Sequence, residues 1–261
     1  MRVAPTHSTD HPIRSSILSS AYAQAARAAV LEFFSADASE YDVIFTANCT
    51  AALRLVGESY PFTSNASRLI LPVDAHNSVN GLREFATSAG IPVQYLPMER
   101  CGDQFSALDN DGGLFVMTGQ SNLSGLKSDL NLMAEAKQKG YDTLLDAAAL
   151  ASTTPLSLRA LGNSVDAMAI SLYKIIGYPT GVGCLVARKA FLAKLNKQWF
   201  SGGTVVIVQV MLVHEPGLAH RSHDSVRLQA MVDCFWMVTS VGRMGLLIFC
   251  RQCRQNVSNS R

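Results

Sequence analysis

The sequence predicts an α/β domain with a largely parallel β-sheet. Short apolar runs, typical of strands buried on both faces, alternate with longer segments whose apolar residues recur at helical spacing. Such alternation at short intervals is the pattern of successive βα units. Because ligands bind outside the carboxyl ends of the strands in such sheets, the fold class also predicts where a site would lie.

The first half of the chain supplies six of these elements. A long amphipathic helix comes first, because apolar side chains such as Leu18, Tyr22, Ala25 and Ala29 recur at helical spacing. A strand, a helix, a buried strand, a helix closed by its glycine and a further strand follow. In order, the six predicted ranges are Ile13–Ala36, Tyr41–Thr46, Ala51–Glu58, Arg68–Val73, Asn77–Gly90 and Pro92–Leu96.

The second half continues the alternation after a polar loop at residues 99–112, which is rich in glycine and aspartate. Four apolar runs predict strands, and two segments at helical spacing predict helices. The strands are predicted at Gly113–Thr118, Thr143–Asp146, Asp166–Ser171 and Gly183–Ala187, and the helices at Leu130–Gly140 and Lys189–Lys197.

Composition excludes several classes of protein. The chain has 261 residues, 48% hydrophobic and 16% charged, which is enough for one large domain with a substantial core. A formal net charge of +2, without basic runs, gives no support for a nucleic-acid partner. Val205–Val213 is too short to span a bilayer and Cys234–Cys250 contains Arg243, so no membrane partner is expected.

The six cysteines indicate a reducing compartment. No secretory signal precedes them, so we expect a cytoplasmic protein with reduced thiols. Cys250 and Cys253 form an isolated CxxC, and a zinc site would need two further ligands. No metal site is therefore predicted.

The segment from Ala167 to Gly183 organises the chain. An apolar run ends at Ser171 and Lys174, and four residues that break regular structure follow, from Gly177 onward. A loop would then hold Lys174 at the end of a buried strand, where its ammonium group can be desolvated, its pKa lowered and its amine made ready to form a Schiff base. The alternative is a lysine at the solvent-exposed end of a strand.

Other strand ends carry residues of complementary chemistry. Asp146 closes a buried strand, and an ionised carboxylate there needs a cationic partner. Cys49 and Thr50 open a helix, where a phosphate or plain N-capping is possible. His76 could stack on an aromatic ligand or cap a helix, and Asn122 could bind a ligand or belong to an ordinary turn. Together these features meet the requirements of pyridoxal 5'-phosphate.

Several longer motifs carry a family resemblance over about residues 14–204. They are FTANCTAALRLVGESYPF, DAHNSVNGLREFA, QSNLSGLKSDL, LLDAAALASTTPLSL, SLYKIIGYPTGVG and WFSGGT. The sequence resembles the class V pyridoxal-phosphate enzymes of fold type I, and within them the cysteine-desulfurase domain of the eukaryotic molybdenum cofactor sulfurases. The resemblance implies a mostly parallel large domain flanked by helices, with pyridoxal 5'-phosphate as cofactor and cysteine as the favoured amino-acid substrate.

The resemblance also implies a role for each site residue. Lys174 would be the catalytic Schiff-base lysine and Asp146 the partner of the pyridine nitrogen, while His76 would stack on the ring. Asn122 would lie near the ring oxygen and the substrate carboxylate.

The phosphate would have a separate set of contacts. Cys49, Thr50 and Ser171 would hold it within one subunit. Gly203 and Thr204 resemble a turn that reaches the phosphate of the neighbouring subunit, which implies a homodimer.

The chain also departs from the family pattern. Cys49 replaces a usual Ala or Thr, Asn48 replaces a usual Gly, and Ala149 stands where bacterial desulfurases often have Gln or His. Residues 1–12 are expected to be a loose lead-in and residues 13–204 the large domain, without the family's first strand. Residues 205–261 do not match the small C-terminal domain, so neither a persulfide cysteine nor a carboxylate-binding arginine can be assigned.

Three functional hypotheses follow. The first is a pyridoxal-phosphate-dependent cysteine desulfurase of molybdenum cofactor biosynthesis. The second keeps the fold but changes the reaction to decarboxylation, β-elimination, racemisation or transamination. The third is a truncated, non-catalytic fragment that binds the cofactor or a partner chain without turnover.

Overall fold

A seven-stranded sheet forms the centre of the protein. The structure is a computed structural model that describes residues 14–63, 68–97, 112–177 and 181–197, all within one compact unit. In chain order the strands are β1 (Tyr41–Thr46), β2 (Arg68–Pro72), β3 (Val93–Leu96), β4 (Gly113–Thr118), β5 (Tyr141–Asp146), β6 (Ala167–Ser171) and β7 (Gly183–Arg188). The predicted limits of the large domain, residues 13 and 204, lie outside the described residues.

The strand order across the sheet is β1-β7-β6-β5-β4-β2-β3. All neighbours from β6 to β3 pair in parallel. β7 pairs antiparallel with both β6 and β1, so β1 again runs in the direction of β6. The predicted α/β class with a largely parallel sheet is confirmed.

Helices cover the sheet. They are α1 (Arg14–Phe33), α2 (Cys49–Ser59), α3 (Asn77–Asn80), α4 (Leu82–Ser88), α5 (Asn131–Gln138), α6 (Leu158–Leu161), α7 (Leu172–Ile176) and α8 (Lys189–Leu192). The central strands β5, β6 and β7 are buried almost throughout, as expected for a sheet with helices packed on both faces. In β5 every residue is buried, and the core contains Phe34, Leu53 and Met133. No helix in the described ranges combines the length and hydropathy needed to cross a bilayer.

Two predicted helices differ from the structure. The segment expected to form one helix over Asn77–Gly90 is divided into α3 and α4 at Gly81, whose amide bonds back to the carbonyl of Asn77. The helix expected over Lys189–Lys197 ends at Leu192. In both places the backbone passes into a turn while keeping near-helical angles, at Gly81 and at Ala193, and a spacing pattern does not register such an interruption.

A polar network fixes the edge of the sheet where β5 and β6 begin. Asp166 Oδ2 accepts hydrogen bonds from Lys137 Nζ at 2.7 Å and from the Thr143 amide at 2.9 Å. Asp142 accepts from Lys194 Nζ at 2.6 Å and from the Tyr60 hydroxyl at 3.0 Å. Burial and the adjacent Asp142 carboxylate raise the pKa of Tyr60, which keeps the phenol protonated as a donor. This network holds the sheet together at the edge opposite the site.

Candidate active site

The carboxyl ends of β1, β2, β4, β5 and β6 meet at one edge of the sheet, where β7 begins. A cavity of about 200 Å³ opens there. Seven of the residues predicted from the sequence line it: Cys49, Thr50, His76, Asn122, Asp146, Ser171 and Lys174. The other two, Gly203 and Thr204, lie outside the described residues. The structure thus brings the seven together, while their roles toward a ligand stay predictions.

The cavity has a buried floor and an exposed rim. The floor consists of Cys49, Thr118, Asp146 and Ser171, each at most 6% exposed. The rim consists of Thr50, His76, Asn122 and Lys174, which are exposed. The carboxylate thus lies deeper in the cavity than the lysine and the histidine.

Asp146, the last residue of β5, is the carboxylate of the floor. Its Oδ1 accepts a hydrogen bond from the Ala148 amide at 3.0 Å and another from Cys49 Sγ at 3.5 Å. The Gly119 amide bonds to the main-chain carbonyl of Asp146 at 2.9 Å, which ties the end of β5 to the end of β4. These bonds fix the orientation of the carboxyl group.

Cys49 is a protonated thiol. Burial raises its pKa well above the ordinary value, the Asp146 carboxylate raises it further, and Lys174 opposes the shift only in part. A thiol kept neutral in this way can donate to Asp146. It is poorly suited to act as a nucleophile, because the thiolate is the reactive form.

The amino end of α2 lies beside the floor. The Asn48 side chain caps this helix and accepts from the Ala51 amide at 2.9 Å, so the capping alternative considered for this segment is confirmed. Thr50 Oγ1 lies 2.7 Å from Ser78 Oγ. The start of β7 packs closely against the amino end of α2. Only a glycine fits at position 183, because a Cβ there would lie 2.7 Å from the Cys49 nitrogen.

His76 caps α3, the short helix that follows β2. Its Nδ1 accepts from the Ser78 amide at 3.1 Å and lies 3.0 Å from Ser78 Oγ. Because Nδ1 accepts a main-chain hydrogen bond, the neutral ring carries its proton on Nε2. The capping alternative is confirmed for His76 as well, and the capping bond sets the orientation of a ring that also lines the cavity.

Lys174 lies on a helix rather than in a loop. One helical turn, α7, follows β6 directly, and Gly177 ends it in the left-handed conformation with φ of +68°. The prediction that a loop holds Lys174 is therefore wrong, because regular structure continues to Ile176 and ends only at Gly177. Lys174 is also exposed, so the described residues leave its ammonium group in contact with water.

Two hydroxyl residues of the cavity were not predicted from the sequence. Ser78 follows His76 by two residues, a spacing that indicates capping when the histidine is an N-cap. Thr118 ends β4, and its only signal is a single hydroxyl at the close of an otherwise apolar strand. No group of His, Cys, Asp and Glu side chains suited to a metal ion occurs within the described ranges.

Solved structures with the same fold are known. A cysteine desulfurase from Thermococcus onnurineus NA1 superimposes with a TM-score of 0.63 at 22% identity, covering 78% of this chain and 51% of that chain. The cysteine desulfurase CsdA from Escherichia coli gives 0.61 at 19% identity, covering 92% and 58%. A cystine C-S lyase, C-DES, gives 0.63 at 19% identity, covering 75% and 54%. The fold is that of the fold-type I pyridoxal-phosphate enzymes, as predicted.

Sequence comparison places the chain within that class. It belongs to the aminotransferase class-V family, whose sequence model matches residues 4–223. Molybdenum cofactor sulfurase from Solanum lycopersicum is 35% identical over 69% of this chain and 26% of its own length. The human molybdenum cofactor sulfurase is 35% identical over 67% of this chain and 22% of its own length. The predicted resemblance is confirmed, and the chain spans about a quarter of these relatives.

Proposed function

We propose that the chain forms the cofactor-binding part of a pyridoxal-phosphate-dependent enzyme that acts on an amino acid, most like a cysteine desulfurase. One observation carries the proposal. Lys174 and Asp146, which follow different strands, line the same small cavity. The cofactor requires an amine to condense with its aldehyde and a carboxylate to pair with its pyridine nitrogen.

The residues present fit this cofactor. Thr50 and Ser171 offer hydroxyls to a phosphate beside the amino end of α2, where the helix dipole favours an anion. Ser171 makes no side-chain capping bond to α7, which leaves its hydroxyl available in that role. The floor adds a carboxylate for a ring nitrogen, and the rim adds the His76 ring for stacking.

Each residue then has a defined task. Asp146, oriented by Ala148 and Cys49, would hold a proton on the ring nitrogen. Lys174 would attach the cofactor covalently and, when free, move protons as a general base and acid. The bound cofactor supplies an electron sink for the substrate carbon. Asn122 on the rim would bind the ring oxygen and the substrate carboxylate.

The desulfurase assignment needs a mobile thiol outside the described residues. Cys49 and Cys184 are the free cysteines of the described ranges, and both are buried. Burial raises the pKa of Cys184 to about 12, so this thiol, like Cys49, stays protonated. The cysteine that accepts sulfur from the substrate would therefore come from another part of the protein. Molybdenum cofactor biosynthesis is the process that the names of the relatives suggest.

A second candidate is a class V enzyme of another reaction type that needs no such thiol. The similarity to a cystine C-S lyase and the two buried cysteines favour it. A third is a fragment that binds cofactor without turnover, given the quarter of the relatives' length that the chain spans. A homodimer in the cytoplasm, with Gly203 and Thr204 reaching the partner's cofactor, completes the proposal.

Titration with pyridoxal 5'-phosphate tests the proposal. The wild-type protein should form an adduct that borohydride fixes on Lys174, as seen by peptide mass spectrometry, and Lys174→Ala should abolish it. Lys194→Ala is the control, because Lys194 pairs with Asp142 at the opposite edge of the sheet. An adduct that survives Lys174→Ala, or none in the wild type, contradicts the proposal.

Product analysis then separates the three candidates. A desulfurase releases alanine from cysteine and leaves a persulfide that a reductant converts to sulfide. A lyase releases pyruvate and ammonia from cysteine. An aminotransferase yields the keto acid that keeps the side chain of the substrate. A non-catalytic fragment yields none of these products.

A further inference from the structure

Thr118 occupies the floor of the cavity at the point where β4 and β5 end together. It is paired with Asp146 in the register of the two strands, and it is only 2% exposed. Its main chain is fixed, because its carbonyl accepts a hydrogen bond from Ser128 Oγ at 2.5 Å. The position and backbone of Thr118 are thus set by the sheet, and the residue is one of those that line the cavity.

The Thr118 hydroxyl has no hydrogen-bond partner among the described residues. Leaving a buried hydroxyl unpaired is unfavourable, and a valine of the same shape would avoid it. Thr143 on β5 shows the usual solution, since its Oγ1 donates to the Ser164 carbonyl at 2.8 Å and accepts from the Asp166 amide at 3.0 Å. Thr118 therefore differs from a structural threonine of the same sheet.

We infer that Thr118 Oγ1 forms a hydrogen bond to the ring portion of bound pyridoxal 5'-phosphate. The inference rests on the proposed function. Thr118 neighbours Asp146, the proposed partner of the ring nitrogen, and lies on the strand that leads to Asn122, whereas the proposed phosphate contacts follow β1 and β6. A hydroxyl can donate or accept, so it suits a ring that carries both a nitrogen and an oxygen.

Matched valine substitutions test the inference. Thr118→Val should lower the affinity for pyridoxal 5'-phosphate about five-fold, the value of one lost hydrogen bond, and leave the melting temperature of the cofactor-free protein unchanged or raised. Thr118→Ser should keep the wild-type affinity, because the hydroxyl is retained. Thr143→Val should lower the melting temperature, because the Thr143 hydroxyl bonds within the protein, and should leave the affinity for the cofactor unchanged.

Inorganic phosphate is the second probe, because it engages only the phosphate contacts. Thr118→Val should leave competition by phosphate unchanged, whereas Thr50→Val should weaken it. If the wild type binds the cofactor and Thr118→Val binds it equally well, the hydroxyl makes no bond to the cofactor and the inference is wrong. Equal loss of phosphate and cofactor binding in Thr118→Val would also overturn it, since the whole cavity would then be damaged. If the wild type binds no cofactor, the proposed function itself fails.

Discussion

The Cys49 thiol donates a hydrogen bond to the Asp146 carboxylate, with Sγ and Oδ1 3.5 Å apart. The two residues are 97 positions apart in the chain and meet because β1 and β5 end at the same edge of the sheet. Burial keeps the thiol protonated, so Cys49 supports the carboxylate rather than competing with it for a cation.

Removing the Cys49 donor should weaken the site without abolishing it. Cys49→Ala leaves the Asp146 carboxylate with the Ala148 amide as its donor among the described residues, and because a thiol is a weak donor we expect about a two- to five-fold loss of cofactor affinity. Cys49→Ser restores a donor and should restore the affinity. Spectroscopic titration of the three proteins measures this. Equal affinity in all three would show that the thiol only fills space.

A side chain at Gly183 should disturb both stability and binding. An added Cβ would lie 2.7 Å from the Asn48 Cα and from the Cys49 nitrogen, which are main-chain atoms that cannot move independently. Gly183→Ala should therefore cost about 1–3 kcal/mol of unfolding free energy and displace the amino end of α2 from the phosphate.

Gly81→Ala is the control for that substitution. Gly81 has φ of −60°, and its nearest neighbour would be 3.6 Å away, so alanine should be tolerated or slightly stabilising. Urea unfolding and cofactor titration compare the two variants. A Gly183→Ala protein that matches Gly81→Ala in both measurements would contradict the packing argument.

The polar network around Asp166 should contribute to stability and not to binding. Asp166→Ala removes the acceptor of the buried Thr143 amide and the nearer partner of the partly buried Lys137 Nζ, which keeps Asp142 Oδ1 at 3.8 Å, so we expect a loss of about 1–3 kcal/mol of unfolding free energy. The folded variant should bind the cofactor as the wild type does, because the network lies at the opposite edge of the sheet. Glu84→Gln, in the exposed Arg83–Glu84 pair, should change neither property. Calorimetry and titration measure both, and a selective loss of cofactor affinity in Asp166→Ala would refute the separation of roles.

Alkaline pH should destabilise the protein through its buried thiols. Burial raises the pKa of Cys184 to about 12, whereas an unfolded cysteine titrates near 8.5. The folded state therefore keeps a proton that the unfolded chain loses, and the unfolding free energy falls as pH rises from about 8.5 toward 12. One such group contributes a slope of about 1.4 kcal/mol per pH unit. Cys184→Ala should show a shallower decline in urea unfolding at several pH values, and parallel curves would disprove this cause.

The sequence predicted the fold because its apolar runs record burial on both faces of a sheet. It did not predict that β7 is antiparallel, since an apolar run carries no direction and Gly183 opens a strand of either sense. It did not place β1 beside β7, because pairing between distant segments depends on the whole tertiary structure.

The sequence predicted those site residues that stand at or just after the carboxyl end of a predicted strand. Asp146 and Lys174 follow this pattern, and the structure places both at one cavity. The turn of helix that carries Lys174 was missed because the breaking residues begin only at Gly177. Thr118 was missed because whether its hydroxyl has a partner depends on neighbours that the sequence does not reveal.

The position of β7 between β1 and β6 has a consequence for the order of assembly during synthesis on the ribosome. β4, β5 and β6 pair with close neighbours in the chain, whereas β1 must wait for a partner made much later. Contacts between distant segments form slowly, because long loops must close first. The part of the cavity around Asp146 can therefore form once β6 has been made, up to residue 171, and the segment after β1 joins it only once residue 188 has emerged.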